Sequence, residues 1–269
     1  MKIPFTKAHG ARNDFLLTWR GELPTDLNLA QAAQAICDRH TGIGADGWIL
    51  MSPSEGTDVA IQLYNSDGST SELSGNGTRC VAVYLLENGR AGDIVKIMTG
   101  AGLKELKLIS RNGHKFVFEM NMGKARIDEL RIMLPFGDKA NDATILHVGN
   151  PQCAVFVNDF AYDWRAEGAW IERHPKFPNR TNVSFVRVVD EHTLEVRFWE
   201  RGAGETMSSG TGATGAAAAA VARGLSKSPV EVQTPAGPLT LRWEHDDIYL
   251  AGPAEIVAGG DFYWDYFPK

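Results

Sequence analysis

The sequence predicts an α+β protein made of two similar halves, and three observations carry that expectation. Motifs recur at nearly one offset, strand-like runs outnumber helical ones, and each half holds one apolar helix opened by a Ser-Gly element. The recurrence is the strongest of the three. Asn65-Ser66-Asp67-Gly68 and Ser74-Gly75-Asn76-Gly77 stand in the first half; Glu200-Arg201-Gly202-Ala203-Gly204-Glu205 and Ser209-Gly210-Thr211-Gly212 stand in the second. Ser74 and Ser209 are 135 residues apart, as are Asn65 and Glu200, and Thr99 and Thr234. His9-Gly10-Ala11-Arg12-Asn13 and His147-Val148-Gly149-Asn150 form a further echo, offset by 137 at their asparagines. Halves at 1–130 and 131–269 follow, with the joint expected near residues 125–145.

Each half then reads in the same order. Strand-like runs at Asp14–Leu17, Trp48–Met51 and Val59–Tyr64 lead to the first Ser-Gly element. The helix after it stops at Asn88-Gly89, because glycine accepts the left-handed conformation that ends a helix. Strands resume at 95–98, 106–109 and 115–120. In the second half, runs at 154–157, 183–188 and 193–199 lead to the second element, a helix stops at Gly224, and strands follow at 230–233, 239–243 and 248–250. Few helices separate consecutive strands, so a doubly wound parallel sheet is not expected.

Composition narrows the function. The 269 residues are 43% apolar and 22% charged, ordinary globular values, and the formal charge is −6. No cluster of Lys and Arg offers a footprint for nucleic acid or an anionic membrane. No apolar run is long enough to span a bilayer and the opening residues lack a signal-peptide core, so a cytoplasmic protein is expected. Cys37, Cys80 and Cys153 have neither paired spacing nor neighbouring histidines; reduced, buried thiols are expected, with no metal site.

Two glycine-rich motifs need separate readings. Gly42-Ile43-Gly44-Ala45-Asp46-Gly47 matches the dinucleotide fingerprint in letters, yet a helix leads into it and a strand leads out. That order is the reverse of what pyrophosphate binding requires, so a turn into a strand is the better account. The Ser-Gly elements differ in kind. A serine cap before a helix leaves the next backbone N–H groups unpaired at the positive end of the helix dipole, which makes an anion seat. Two seats related by a pseudo-twofold axis would share one cleft and could hold one carboxylate. Around them the repeat places the amides of Asn13, Asn65, Asn76, Asn150 and Asn182, and the opposite charges of Glu200 and Arg201. Amides with both charges suit a zwitterion, so a small-molecule amino acid is the expected ligand.

These residues carry a family resemblance. His9-Gly10, Asn13-Asp14-Phe15, Gly44-Ala45-Asp46-Gly47, Asn65 to Gly68, Gly75-Asn76-Gly77 with Arg79-Cys80, Gly149-Asn150-Pro151, Thr181-Asn182-Val183, Glu200-Arg201-Gly202, Gly204-Glu205-Thr206, Gly210-Thr211-Gly212 and Gly252-Pro253-Ala254 run nearly the whole chain. It resembles the diaminopimelate epimerases, of the cofactor-independent amino-acid racemase superfamily. The resemblance implies two pseudo-symmetric domains, each a curved, mostly antiparallel sheet wrapped around a central helix, with the active site in the interdomain cleft. It implies interconversion of LL- and meso-2,6-diaminopimelate by two-base proton transfer at the α-carbon, serving lysine and peptidoglycan synthesis, with no metal or other cofactor. Gly75, Asn76, Gly210 and Thr211 would bind the reacting end; Asn13, Asn65, Asn150, Asn182, Glu200 and Arg201 would bind the distal end. The resemblance also implies a homodimer, since members of that family are often dimers; the sequence itself does not give the oligomeric state.

One departure matters most. The two catalytic cysteines that the resemblance implies fall on Ser74 and Ser209. A thiol titrates near 8.5 and water near 15.7, so an alkoxide costs roughly seven units more, or about 10 kcal/mol. Two helix dipoles contribute only about 1–2 kcal/mol each. Three readings stand open: an epimerase with an altered acid/base pair; a racemase, epimerase or dehydratase acting on another amino acid with Glu205 or His147 as base; and a non-catalytic amino-acid-binding protein. Retention of the full set of residues for a two-headed amino acid favours the first.

Overall fold

In a computed structural model describing residues 1–137 and 139–265, the chain forms two compact units. The first comprises Met1–Met120 with the terminal segment that begins at Gly252, and the second is Asn121–Ala251.

Each unit repeats one scheme. In the first, strand Asn13–Trp19 pairs in parallel with Gly47–Ser52, and helix α1 (Leu29–Cys37) makes the crossover between them. Strand Val59–Asn65 pairs in parallel with Ile94–Thr99, and helix α2 (Gly75–Glu87) is that crossover. The second unit matches it: α3 (Trp164–Glu172) connects the parallel pair Pro151–Phe156 and Asn182–Asp190, and α4 (Gly210–Ala222) connects Thr193–Glu200 and Val230–Thr234. Parallel neighbours need such crossovers, whereas the remaining pairs are antiparallel and joined mostly by turns. Side-chain caps open all four helices, from Asn28, Ser74, Asp163 and Ser209. Gly89 and Gly224, at φ of 63° and 71°, stand just beyond the ends of α2 and α4 as the sequence predicts.

Packing explains why α2 and α4 are central. In α4, Ala213 and Ala216 to Ala220 are buried and no side of the helix is charged, so strands cover it all round: Val186, Val196, Val232 and Leu241 belong to its core cluster. Its alanines let those strands approach closely. α2 buries Cys80, Val81, Ala82, Val83 and Leu85, while α1 packs Ala32, Ala33 and Ile36 against Leu16, Trp48 and Leu50.

Two sequence expectations change. The joint expected near 125–145 is a long hairpin, Arg126–Phe136 with Lys139–His147, in which Leu134 is buried and Ile127, Ile132 and Phe136 are half-buried. Its outward residues, including Arg126, Asp128 and Arg131, disguise it as a linker. The division at 1–130 and 131–269 also moves, because the last strand, Asp247–Tyr263, serves both units. Its start pairs with Gly237–Glu244, and its remainder pairs antiparallel with Lys2–Gly10 from Glu255 to Tyr263. The first strand would otherwise leave one edge open, and unpaired edges are unfavourable.

Candidate active site

The starts of α2 and α4 have the same backbone. Ser74 sits at φ −130°, ψ 119° and Ser209 at φ −137°, ψ 122°. Each hydroxyl accepts a bond from the N–H three residues on, Gly77 at 3.0 Å and Gly212 at 3.2 Å. The N–H groups of Gly75 and Asn76, and of Gly210 and Thr211, are the first of each helix and have no intrahelical acceptor.

Close packing leaves little room for a side chain at the third position of either helix. A β-carbon on Gly212 would stand 2.8 Å from a ring carbon of Phe198, and one on Gly77 would stand 2.9 Å from the terminal methyl of Ile49. Both helices therefore begin hard against a strand, which fixes where their first N–H groups point.

At α4 the site residues converge. The Ser209 hydroxyl donates to Glu200 Oε2 at 3.0 Å, and Thr206 donates to Glu200 Oε1 at 2.7 Å. Loss of water around this carboxylate raises its pKa, and the two hydroxyl bonds oppose that rise. Asn150 donates to the Thr211 hydroxyl at 3.4 Å and accepts from Gln152 at 2.7 Å. Asn182 accepts from the Arg201 backbone N–H at 2.9 Å, and the exposed Arg201 guanidinium donates to the Asn179 carbonyl at 3.0 Å.

At α2 the partners differ. Asn76 donates to Asn13 Oδ1 at 3.1 Å, and Asn13 donates to Asp46 at 2.6 Å. Arg39 bonds both Asp46 and Asp14. Arg79 donates to the side-chain oxygen Oδ1 of Asn76. Asn65 bonds within its own turn, donating to Ser69 at 2.9 Å and Ser71 at 3.0 Å. The sequence reading did not assign Asp46, Arg79, Gln152 or Thr206. A charged residue inside an apolar helix was the available signal for Arg79.

The alternative bases are committed elsewhere. Glu205 forms a two-pronged pair with Arg165 at 2.6 and 2.8 Å, and His147 bonds Asp128 at 2.8 Å, both at the surface. Cys37, Cys80 and Cys153 are at most 2% exposed, and burial pushes each thiol up to about 12, so none supplies a thiolate near neutrality. Among the described residues no His, Cys, Asp and Glu group could hold a metal, and no helix is long and apolar enough to cross a membrane.

Solved structures show the fold first. The fold matches a phenazine biosynthesis protein of the PhzF family from Bacillus anthracis, with TM-score 0.76, 14% identity, and coverage of 97% of this chain and 99% of that one. It also matches a hydroxyproline epimerase from Agrobacterium vitis, with TM-score 0.72, 16% identity, and coverage of 97% and 90%. At such identities the likeness is one of fold. The family is set by sequence: the diaminopimelate epimerase model matches residues 5–127 and 144–257, and the chain belongs to that family. Diaminopimelate epimerases of Pelotomaculum thermopropionicum and Halothermothrix orenii are 39% and 37% identical to it. The first covers 96% of this chain and 98% of the relative, the second 97% and 98%.

Proposed function

We propose that the chain interconverts LL- and meso-2,6-diaminopimelate, removing the α-proton on one face and returning one on the other, without a cofactor. The reading rests on membership in the family and on one structural observation: the duplicated serine cap that leaves two unpaired N–H groups at the start of each central helix. Gly75, Asn76, Gly210 and Thr211 would give N–H groups to the α-carboxylate, stabilising the carbanion as an oxyanion hole does. Asn13, Asn65, Asn150, Asn182, Glu200 and Arg201 would hold the distal amino acid, Arg201 on its carboxylate and Glu200 near its ammonium.

Serine changes the proton chemistry. Ser209 hydrogen-bonds Glu200, so it can take the α-proton while passing its own proton to that carboxylate. The Cα–H bond breaks and an O–H bond forms at Ser209 as its own proton passes to Glu200; on the opposite face the Ser74 O–H bond breaks as the new Cα–H bond forms, and water reprotonates Ser74 in the same step. No free alkoxide is then needed at Ser209. Two of the roughly four lone-pair positions of Glu200 are taken by hydroxyls, which leaves room for the distal ammonium. We place this enzyme in the cytoplasm as a homodimer, an assembly that sedimentation checks.

Deuterium uptake at the α-carbon in heavy water tests the function. The chain should exchange slowly, and Ser74→Cys/Ser209→Cys should exchange at least about a thousandfold faster, given the roughly seven-unit gap between alcohol and thiol. If neither form exchanges, the epimerase reading fails. If calorimetry then still shows diaminopimelate binding, the protein is one that captures the amino acid.

A further inference from the structure

The start of α2 carries a charge that the proposed chemistry has not used. Arg79 lies in the second turn of α2 and is fully buried. Helical side chains lean toward the N-terminus, so its guanidinium is delivered back to the first turn. There Nη1 stands 3.9 Å from where a β-carbon on Gly75 would be. Nη2 donates to the side-chain oxygen of Asn76, and Nε donates to the Pro253 carbonyl at 3.2 Å. Nη1 has no hydrogen-bond partner. Among the described residues no carboxylate forms an ion pair with Arg79; burial draws its pKa down to about 10, which leaves it cationic at neutral pH.

That placement works against stability on two counts. A buried cation without a counter-charge is unfavourable, and the positive end of the helix dipole repels it. Arg223, whose side chain is 3% exposed, has the reverse arrangement. Arg223 caps the C-terminal end of α4, where the dipole favours a cation, and meets Asp142 at 2.6 and 2.9 Å. An arginine held dry, unpaired and with one free N–H edge at a helix start is arranged for an anion that arrives from outside.

We propose that Arg79 is the counter-charge of the anion seat at the start of α2. Its positive potential acts together with the N–H groups of Gly75 and Asn76 on the substrate carboxylate and on negative charge at Ser74, and its bond to Asn76 fixes that residue's amide. The inference rests on the reading of this helix start as a carboxylate seat.

A probe that needs no substrate tests it. Ser74→Cys places a thiol at the cap, where thiolate absorbance reports the local potential. Burial pushes the three native thiols up to about 12, so the introduced one is expected to be read alone. It should titrate below the free-thiol value of about 8.5. Adding Arg79→Met or Arg79→Gln should move the titration up by roughly one unit, the size expected for a charge a few ångströms away. Adding Arg79→Lys, which keeps the charge, should leave it near that of Ser74→Cys alone. An unchanged titration in the neutral variants overturns the proposal. If neither neutral variant folds, the Lys variant decides, and a titration near the free-thiol value in it also overturns the proposal.

Calorimetry with meso-diaminopimelate on the serine chain separates the two readings. The neutral variants should bind about tenfold more weakly, whereas Arg79→Lys should keep most of the affinity. Binding by the serine chain without any movement of the thiol titration defeats Arg79 alone. A moved titration with no binding by any form defeats the proposed substrate and leaves the counter-charge standing.

Discussion

The two helix starts share a backbone and carry opposite charge. The start of α2 has a buried guanidinium beneath it, and the start of α4 has a carboxylate beside it. The duplication makes the contrast readable position by position. Glu200 corresponds to Asn65 and Thr206 to Ser71, each pair at the common offset of 135 residues. Both pairs are hydrogen-bonded, but the Asn65 amide can donate to Ser71 as well as accept from it, whereas the Glu200 carboxylate only accepts, from Thr206. Arg79 corresponds to Thr214, a neutral residue whose hydroxyl bonds the Gly210 carbonyl. The two starts therefore share a serine cap and its N–H groups and differ in the charged side chain beside it, a guanidinium at α2 and a carboxylate at α4.

Removing the carboxylate should therefore have the largest effect. Glu200→Gln keeps an acceptor for Thr206 and Ser209 but cannot take a proton. Deuterium exchange should fall by about 10²–10⁴-fold, the usual contribution of a positioned general base. Asn65→Ala, at the matching position, should cost about tenfold or less because its amide serves its own turn. Equal losses in the two variants would break the proposed asymmetry.

Repetition made the architecture legible, because backbone requirements such as caps and glycine stops are written in single residue types. Ser74, Ser209, Gly89 and Gly224 do at both starts and both stops what their spacing implies. Long-range pairing was not legible in the same way. Nothing in Glu255–Tyr263 says which strand it joins, and it joins the first strand of the chain. Hydrogen bonding was hidden too. Asn13 and Asn76 were recognised as amides near one site, but the Arg79 guanidinium that bonds Asn76 reaches it only because its side chain runs back along the helix. Residue spacing along the chain does not encode that direction.

A smaller effect should separate the starts by packing. A methyl group on Gly212 meets the buried ring of Phe198, which cannot rotate away, and the β-carbon of Ser209 at 3.0 Å. Gly212→Ala should lower stability by about 1–3 kcal/mol. A methyl on Gly77 meets the terminal methyl of buried Ile49 at 2.9 Å and the β-carbon of Ser74 at 3.2 Å, a chain end and a looser contact than at Gly212, while alanine gains about 1 kcal/mol over glycine inside a helix. Gly77→Ala should then cost less than Gly212→Ala. Urea unfolding of the two variants measures the difference, and a Gly77→Ala loss as large as that of Gly212→Ala would mean that the two starts are equally rigid.

The smallest effect concerns pH and has a defined sign. Desolvation raises Glu200 above its ordinary carboxylate value of 4.5 in the folded protein. Below that ordinary value Glu200 is protonated in both folded and unfolded chains, so its burial carries no charge penalty. As pH rises from there through the raised value, the unfolded chain ionises first, and the folded state loses stability relative to it. Glu200→Gln has no such proton to lose. The melting temperature of the variant relative to the parent should therefore climb between acid and neutral pH and then level off, while Asn65→Ala, which removes no titratable group, should show no such climb. A difference between Glu200→Gln and the parent that is flat with pH would mean that the carboxylate is better solvated than its place beside Ser209 implies, and the charge contrast between the two helix starts would shrink accordingly.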